Sequence, residues 1–467
     1  MDNENNICLL TDSYKECHYK FYMPNTEYVY SYLESRVGAK FNKTMLYGLQ
    51  YILKKYLEGP ILTKECIDEA EKVIDKHIKP GIFNRKGWEY ILEKHKGYLP
   101  IKIQAVPEGL PVDISNAIIT VVNTDPNVPW LTNFIESKLM HLWYPSTVAT
   151  LSKECQILIK HYLNETADNS NGIPFMLHDF GYRGSTSEES ARLAGSAHLI
   201  NFKGTDTIPA LTLIKKYYGD TDMFGYSVQA TEHSIMTSRS ESGEIEVIKN
   251  ILKNADDGIL SLVIDSYNYQ RFIKYMGDYD YIRKEVNHFL NRKPGNKIVF
   301  RPDSGDPITT MLDCLNLLSQ YFGYSLNSKG YKILPDNIGV LYGDGIDYDM
   351  IRKILFSMKN FNWSSSNVIF GMGGGLHQSV NRDTQRSAFK CSSQYFDGLW
   401  HDVYKKPLDL SKMSKRGRLA VIKEKDYYKT INITDLHNQE NILKDVFIDG
   451  HIVNTITFKD IIKNSYL

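Results

Sequence analysis

The chain has 467 residues, 42% of them hydrophobic and 24% charged, which is typical of a soluble globular protein with two or three domains or one large barrel. Its 55 basic and 55 acidic residues balance, so no overall charge favours nucleic acid or an acidic membrane, and any anion site must be local. Six scattered cysteines contain no CxxC pair, the first residues lack a signal-peptide core, and no apolar run approaches a membrane span. We therefore expect a cytoplasmic protein with reduced thiols and no membrane or nucleic-acid partner.

The N-terminal part has a mixed pattern of predicted elements. Apolar residues recur at helical spacing in residues 44–56 and 63–77. Residues 101–106 and 118–122 have the composition of short strands. Residues 128–150 are apolar and aromatic, which predicts a buried helix.

The middle of the chain repeats one pattern, in which a short β-rich run ends in a polar or glycine-rich turn and most turns lead into a helix. The runs cover residues 175–184, 199–207, 260–267, 297–305, 338–345 and 367–375. Residues 308–321 and 350–358 are examples of the helices. Repeated strand–turn–helix units predict a parallel α/β sheet. Reactive residues at the carboxyl ends of the strands favour a barrel, which turns these ends toward one cavity, although an open doubly wound sheet stays possible.

These patterns divide the chain into three parts. We expect residues 1–150 to form the N-terminal part of a mixed α+β domain and residues 151–389 to form the α/β barrel. After residue 390 the pattern loosens into short strands and turns, with a charged stretch at residues 405–425. We expect residues 390–467 to pack with the N-terminal part, outside the barrel.

Three of the strand-end turns carry groups suited to a phosphorylated sugar. In RPDSG, Arg301 presents a planar fork to phosphate, and Asp303 can hold a ribose hydroxyl or a hydrated magnesium ion; a structural ion pair would explain the same motif. YGDG places Asp344 between two glycines. GMGGG offers backbone amides that can approach a phosphate closely, or a tight turn that needs positive φ. The RPDSG and YGDG turns on successive units favour function, because core packing does not require such a turn twice.

A histidine next to carboxylates forms a second candidate cluster. His233 follows Glu232, and Asp265 ends a different β-rich run. A histidine oriented by a carboxylate can act as a base, a metal ligand or a phosphoryl acceptor, although a lone histidine is more often an ordinary hydrogen-bonding residue. No HxH or HExxH spacing supports a zinc site held by the protein. The basic run at residues 412–418 has no interleaved aromatic residues, so we interpret it as a solvated face and not as a nucleic-acid site.

The motifs also occur in a characteristic order along nearly the whole chain: TDSYK, YSYLESR, YGLQYIL, NTDP, WYP, HDFGYRG, NFKGTDT, GYSV, EHS, DSY, RPDSG, GDG, GGGL, FKCS and KRGRL. In this series the chain resembles the nicotinamide phosphoribosyltransferase family, and HDFGYRG, GTDT and RPDSG are its most specific motifs. The resemblance implies a type II phosphoribosyltransferase, an irregular parallel α/β barrel with a flanking β-rich domain built from N- and C-terminal segments. It implies a homodimer with shared active sites that transfers phosphoribosyl from phosphoribosyl pyrophosphate to nicotinamide in NAD salvage. Mg²⁺ would bind through the pyrophosphate.

The resemblance also implies roles for single residues. Phe180 would stack on one face of the pyridine ring, and Tyr14 of the partner subunit on the other. Asp206 would accept a hydrogen bond from the carboxamide and repel the carboxylate of nicotinate. The ribose, phosphate and pyrophosphate groups would contact Arg183, Ser266, Arg301, Asp303, Gly343, Asp344, Gly373 and Gly374, with Arg382 and Lys390 of the partner subunit.

The resemblance implies a separate role for ATP. His233 matches the histidine that ATP phosphorylates in this family, Asp265 would orient its imidazole, and Glu232 lies next to it. Three alternatives stay open: a nicotinate phosphoribosyltransferase, a catalytically silent binding protein on the same scaffold, and a nucleic-acid-binding protein that uses residues 412–418. Asp206 argues against a nicotinate phosphoribosyltransferase, and the neutral net charge argues against a nucleic-acid-binding protein.

Overall fold

The computed structural model describes residues 5–405 and 413–467, so Lys412 of the basic run lies outside the described residues. The described residues form two units. The first unit comprises the described parts of Met1–Thr150, Leu213–Thr221 and Val380–Leu467, and the second comprises Leu151–Thr212 and Asp222–Ser379.

The strands, in chain order, are β1 (Tyr28–Ser35), β2 (Lys43–Met45), β3 (Ile101–Ala105), β4 (Pro111–Asp113), β5 (Ala117–Asn123), β6 (Leu177–Asp179), β7 (Gly204–Thr205), β8 (Gln229–Ala230), β9 (Ile259–Val263), β10 (Lys297–Arg301), β11 (Ser325–Leu326), β12 (Lys332–Ile333), β13 (Ile338–Tyr342), β14 (Val368–Met372), β15 (Ser387–Phe396), β16 (Leu399–Asp402), β17 (Leu419–Glu424), β18 (Tyr427–Asn432), β19 (Lys444–Ile448) and β20 (His451–Ile452).

The α-helices are α1 (Leu49–Ile52), α2 (Lys64–His77), α3 (Arg85–His95), α4 (Leu131–Phe134), α5 (Glu136–Met140), α6 (Trp143–Thr166), α7 (Glu188–His198), α8 (Ile208–Tyr218), α9 (His233–Met236), α10 (Glu244–Asn254), α11 (Tyr269–Gly277), α12 (Arg283–Arg292), α13 (Pro307–Phe322), α14 (Tyr348–Asn360), α15 (Gly374–His377) and α16 (Phe458–Asn464). No helix of the described residues is long and apolar enough to cross a membrane.

The first unit is built on an antiparallel sheet of seven strands in the order β16-β15-β1-β5-β3-β19-β20. The long strand β1 lies between β15, which follows the second unit in the chain, and β5. Similarly, β19 near the C-terminus pairs with β3. Every residue of β1 after Tyr28 is buried, which explains the apolar and aromatic sequence of this strand. N- and C-terminal segments therefore share one sheet.

The second unit is built on a parallel sheet of seven strands in the order β7-β6-β14-β13-β10-β9-β8. Each neighbouring pair is parallel. An additional parallel bridge joins Gly204 of edge strand β7 to Tyr226, which lies just before edge strand β8. The sheet thus closes on itself, and the predicted irregular parallel α/β barrel with a separate β-rich domain is confirmed.

The helices that follow the strand-end turns after β10 and β13 begin at residues that cap their N-termini. Asp306 accepts a hydrogen bond from Thr309 N at the start of α13, and Pro307 occupies the first helical position. Asp347 caps α14 in the same way through Met350 N. These caps fix where each strand-end turn finishes, so the turn side chains stay at the carboxyl end of the sheet.

Two predicted elements differ from the structure. Residues 44–56 do not form one helix, because Thr44 and Met45 pair with β4 and Gly48 takes a left-handed φ of 93° before α1 begins. In the run 199–207 only β7 is a strand. Residues before it extend the last turn of α7, with Leu199 N donating to Gly195 O.

Candidate active site

The carboxyl ends of the barrel strands open into a cleft of about 990 Å³ within the second unit. The turns after six strands contribute to its lining. Ten of the residues predicted from the sequence line this one cleft: Phe180, Arg183, Asp206, Glu232, Arg301, Asp303, Gly343, Asp344, Gly373 and Gly374. A parallel barrel explains this convergence, since all its strands end on the same side.

Asp206 carries a carboxylate with defined hydrogen-bond partners. Its Oδ1 accepts a hydrogen bond from Ser227 Oγ at 2.6 Å and lies 2.8 Å from His178 Nε2. Burial alone would raise the pKa of Asp206, but the contacts with His178 and Ser227 hold it below its usual value. Both contacts use Oδ1, which leaves Oδ2 available to accept a hydrogen bond from a ligand. At neutral pH the group is therefore an ionised acceptor.

Phe180 lies against bare backbone. A Cβ at Gly371 of β14 would lie 2.2 Å from the Phe180 ring, so only glycine fits at this position. The backbone N–H of Phe180 donates to Met372 O at 3.0 Å, which fixes the turn to the neighbouring strand. The Arg301 guanidinium lies 5.6 Å from the ring centroid. Aromatic and cationic groups thus lie next to each other in the cleft.

The glycine-rich turns lie beside Phe180: a Cβ at Gly343 would lie 3.3 Å from the Phe180 ring, and one at Gly373 would lie 3.2 Å from Phe180 O. Gly373, Gly374 and Gly375 are absent from the positive-φ glycines of the described residues, so the alternative that GMGGG is a tight turn needing positive φ is wrong. A Cβ at Gly375 would clash with Ile346 O at 2.4 Å, whereas one at Gly374 would meet nothing within 4 Å. Packing therefore explains Gly375, and the open backbone at Gly374 is accessible to a ligand such as phosphate.

The guanidinium of Arg301 is only partly hydrogen-bonded within the described residues. One of its terminal nitrogens, Nη2, donates to Thr231 O at 3.3 Å, while its buried Nε has no hydrogen-bond partner among the described residues. A buried guanidinium nitrogen without a partner is costly, so a bound anion would be favoured here. Asp303 lies close by, with its Oδ1 3.3 Å from the position of a Cβ on Gly343.

His233 and Asp265 form the expected pair. His233 starts the short helix α9, its side chain is half exposed, and its Nε2 lies 3.2 Å from Asp265 Oδ1. Asp265 is nearly buried and also accepts a hydrogen bond from Ser304. Glu232, on the exposed cap of the helix, accepts a hydrogen bond from Ser234. The imidazole is thus oriented by a carboxylate that is itself held in place.

The remaining predicted residues occupy different places. Ser266 is in the second unit, and its buried Oγ has no hydrogen-bond partner among the described residues. The other three residues belong to the first unit. Tyr14 is 59% exposed and Arg382 is exposed. Lys390 on β15 donates to Phe389 O, and burial lowers its pKa.

Two residues that contact Asp206 are not identified by sequence reasoning. His178 lies within HDFGYRG and Ser227 within GYSV, so both stand inside recognisable motifs, but neither position by itself indicates a contact with Asp206. The signal that could have found them is the placement of the motifs on neighbouring parallel strands.

Comparisons with known proteins agree with this geometry. The profile of the nicotinate phosphoribosyltransferase (NAPRTase) family matches residues 175–451, and that of the nicotinamide phosphoribosyltransferase N-terminal domain matches residues 6–103. The chain is 42% identical to a nicotinamide phosphoribosyltransferase of Xanthomonas campestris, over 90% of this chain and 88% of that protein. It is 31% identical to a protein of the same name from Acinetobacter baylyi, over 96% and 95% of the two chains.

Two solved structures share the fold at low sequence identity. Nicotinate-nucleotide pyrophosphorylase from Pyrococcus furiosus superposes with a TM-score of 0.62 at 14% identity, covering 100% of this chain and 96% of that one. Human nicotinic acid phosphoribosyltransferase gives a TM-score of 0.56 at 12% identity, covering 98% and 93%. These similarities support the fold and leave the substrate to be argued from the site.

Proposed function

Because the chain belongs to the nicotinate phosphoribosyltransferase family, we propose that it transfers the 5-phosphoribosyl group from phosphoribosyl pyrophosphate to nicotinamide. The products are nicotinamide mononucleotide and pyrophosphate, which places the enzyme in NAD salvage. The observation that carries this choice of substrate is the ionised Asp206 at the pyridine end of the cleft. The relatives named for this activity match over most of their length, which supports the same choice.

Asp206 explains why the amide is the substrate. Its free Oδ2 can accept a hydrogen bond from the carboxamide N–H of nicotinamide, whereas the carboxylate of nicotinate would bring a second negative charge beside it. The rival function, a nicotinate phosphoribosyltransferase, would need a cation or a neutral donor at this position. His178 already donates toward Oδ1, so Asp206 presents Oδ2 to the ligand as a hydrogen-bond acceptor.

The reaction needs positioning more than proton transfer. The pyridine nitrogen has a free lone pair, which forms the new bond to the anomeric carbon while the bond from that carbon to the pyrophosphate oxygen breaks. Phe180, with Tyr14 of the partner subunit, would hold the ring in line for this attack. Arg301, Asp303 and the glycine turns at Gly343 and Gly373 would hold the ribose and its phosphate.

Charge on the leaving pyrophosphate would be neutralised by Arg183, and by Arg382 and Lys390 of the partner subunit. The described residues hold no group of three or more histidine, cysteine, aspartate or glutamate side chains able to bind a metal by themselves. Carboxylates of Asp303 and Asp344 line the cleft, and such oxygen donors fit a hydrated Mg²⁺ carried by the pyrophosphate. When bound, this ion would stabilise the departing negative charge.

ATP would act through His233. If Nε2 carries the proton that faces Asp265, the lone pair is on Nδ1, which is then the nitrogen that accepts the γ-phosphoryl group while ADP leaves. Half exposure of the side chain allows access. A phosphorylated His233 would add negative charge near the turn of Glu232 and the cleft, which is how it could affect substrate binding.

The protein would act as a homodimer, since Tyr14 is 59% exposed in the single chain and an aromatic ring of this kind suits a partner's site. Mixing Tyr14→Ala and Phe180→Ala variants tests this, because exchange of subunits would restore one intact site per heterodimer. A cytoplasmic location is compatible with the six free cysteines.

The deciding experiment measures product formation from phosphoribosyl pyrophosphate and Mg²⁺ with nicotinamide or nicotinate, each with and without ATP. Nicotinamide mononucleotide as the main product, formed faster with ATP, is the expected result. Preferred turnover of nicotinate would contradict the substrate. Absence of turnover with both substrates would favour a silent binding protein on the same scaffold.

A further inference from the structure

A buried contact between a histidine and a carboxylate lies beneath the cleft. His377 Nε2 is 2.9 Å from Asp179 Oδ1, and both side chains are completely buried. His377 ends α15, directly after the GMGGG turn, and Asp179 is the last residue of β6, directly before Phe180. Neither residue lines the cleft, so neither contacts a substrate directly.

Asp179 connects the turn that carries Phe180 with the turn that carries Asp206. Its Oδ1 accepts the backbone N–H of Gly181 at 2.7 Å, which closes the turn that carries Phe180. Its Oδ2 accepts a hydrogen bond from Thr205 Oγ1 at 3.0 Å, and its backbone oxygen accepts the N–H of Asp206. Burial would raise the pKa of Asp179, but nearby His377 and the other donors hold it well below its usual value, so it is a carboxylate.

His377 connects this carboxylate to the segments that would hold the phosphoribosyl group. Its Nδ1 lies 2.8 Å from Ser185 Oγ, two residues beyond Arg183, and its backbone N–H donates to Gly373 O. A Cβ at Gly181 would lie 2.4 Å from the imidazole, so glycine at this position is what lets the ring lie against the Phe180 turn. The imidazole therefore contacts the Phe180 turn and the segment after Arg183, while the backbone of the same residue is bonded to the glycine-rich turn.

We propose that Asp179 and His377 are a positioning pair that fixes the turns of Phe180 and Asp206, the pyridine end, relative to the glycine-rich turn at Gly373 and the segment of Arg183, the phosphoribosyl end. This inference rests on the proposed function. Attack by the ring nitrogen on the anomeric carbon requires both ends to be held in register, and a displacement of about 1 Å can cost roughly 100-fold in rate. Because both side chains are completely buried, loss of the contact with His377 would leave the Asp179 carboxylate with fewer partners, which is costly.

The most direct test compares a ligand that would contact both ends of the cleft with a ligand that would contact only one. Nicotinamide mononucleotide contacts both ends of the cleft, whereas ribose 5-phosphate contacts the phosphoribosyl end alone. In His377→Leu, the dissociation constant of nicotinamide mononucleotide measured by calorimetry is expected to rise at least about 10-fold, and that of ribose 5-phosphate less than about threefold. A merely structural role would lower the fraction of competent protein, and thus the stoichiometry, for both ligands alike.

Asn296→Leu is the matched control. Asn296 is also a buried polar side chain of the second unit, but it contacts Gly258 N, Asp257 and the backbone oxygen of Phe289 at the amino end of β10, away from the substrate turns. Its substitution should lower thermal stability without changing the ratio of the two dissociation constants. If His377→Leu does not fold, Ser185→Ala removes one contact of the imidazole and leaves its contact with Asp179, and it should shift the same ratio to a smaller extent.

Steady-state kinetics give a second readout. His377→Leu should lower kcat/KM for both substrates by about 10- to 100-fold while the preference for nicotinamide over nicotinate stays within about twofold, because Asp206 is intact. Equal shifts of the two dissociation constants, no shift, or a changed substrate preference would each refute the positioning role. A parent protein that does not bind nicotinamide mononucleotide would instead refute the proposed function, and this inference with it.

Discussion

Replacing Asp206 by asparagine isolates the charge at the pyridine end. The substitution keeps the size of the side chain and an oxygen that can face His178 and Ser227, the two neighbours of Oδ1. It removes a negative charge that is present at neutral pH, since the pKa of Asp206 is below its usual value. Any change in the choice between nicotinamide and nicotinate then reports on this one charge.

The size of the effect can be bounded from the geometry. Two carboxylates about 4 Å apart repel each other by about 4 kcal/mol at an effective dielectric constant of about 20. The Asp206 side chain is 48% exposed, so solvent screening reduces this repulsion to about 1–2 kcal/mol. That range corresponds to about 5- to 30-fold in relative kcat/KM. Loss of the charged acceptor should also weaken nicotinamide binding, which shifts the preference further in the same direction.

The assay is competition between nicotinamide and nicotinate at fixed phosphoribosyl pyrophosphate, with both mononucleotides quantified by chromatography. Asp206→Asn should reduce the preference for nicotinamide by at least about 5-fold. Asp256→Asn is the control, because it removes one exposed acid of the same unit that does not line the cleft. An unchanged preference in Asp206→Asn, or the same change in both variants, would refute the reasoning.

Three further predictions concern ATP, magnesium and pH. His233→Ala should keep slow basal transfer and lose ATP stimulation, which initial rates with and without ATP would reveal; a variant still accelerated by ATP would exclude the phosphohistidine role. Chelation of Mg²⁺ should abolish turnover while leaving the thermal midpoint of the ligand-free protein unchanged, since in the proposed reaction the metal would be carried by the pyrophosphate. Burial raises the pKa of Glu16 from 4.5 to about 8, so the folded state retains a proton that the unfolded state releases, and stability falls as pH rises from about 4.5 to 8. Glu16→Gln should therefore raise the unfolding free energy at pH 9 by about 3–5 kcal/mol and change it little at pH 4, as urea titration would measure; equal effects at both pH values would contradict this linkage.

Local sequence patterns determine much of this protein. The β-rich runs predict β6, β9, β10, β13 and β14 to within a few residues, because each strand is a short apolar segment closed by a polar turn. The turns after them place Arg301, Asp303 and Asp344 at strand ends, and parallel strands necessarily bring such ends to one side. For this reason ten residues that the sequence indicates for substrate binding or catalysis do line one cleft.

The contacts that tune these groups are decided by the tertiary structure. His178 meets Asp206 and Asp179 meets His377 only because β6 lies between β7 and β14, an order that no local pattern encodes. The same dependence explains why the helix predicted for residues 44–56 begins only at Leu49: pairing of Thr44 and Met45 with β4, distant in sequence, overrides the helical periodicity there. Periodicity reports which face of a segment is buried, whereas strand order determines which buried side chains meet. Strand order therefore gives Asp206 its contact with His178, which lowers the pKa of this carboxyl.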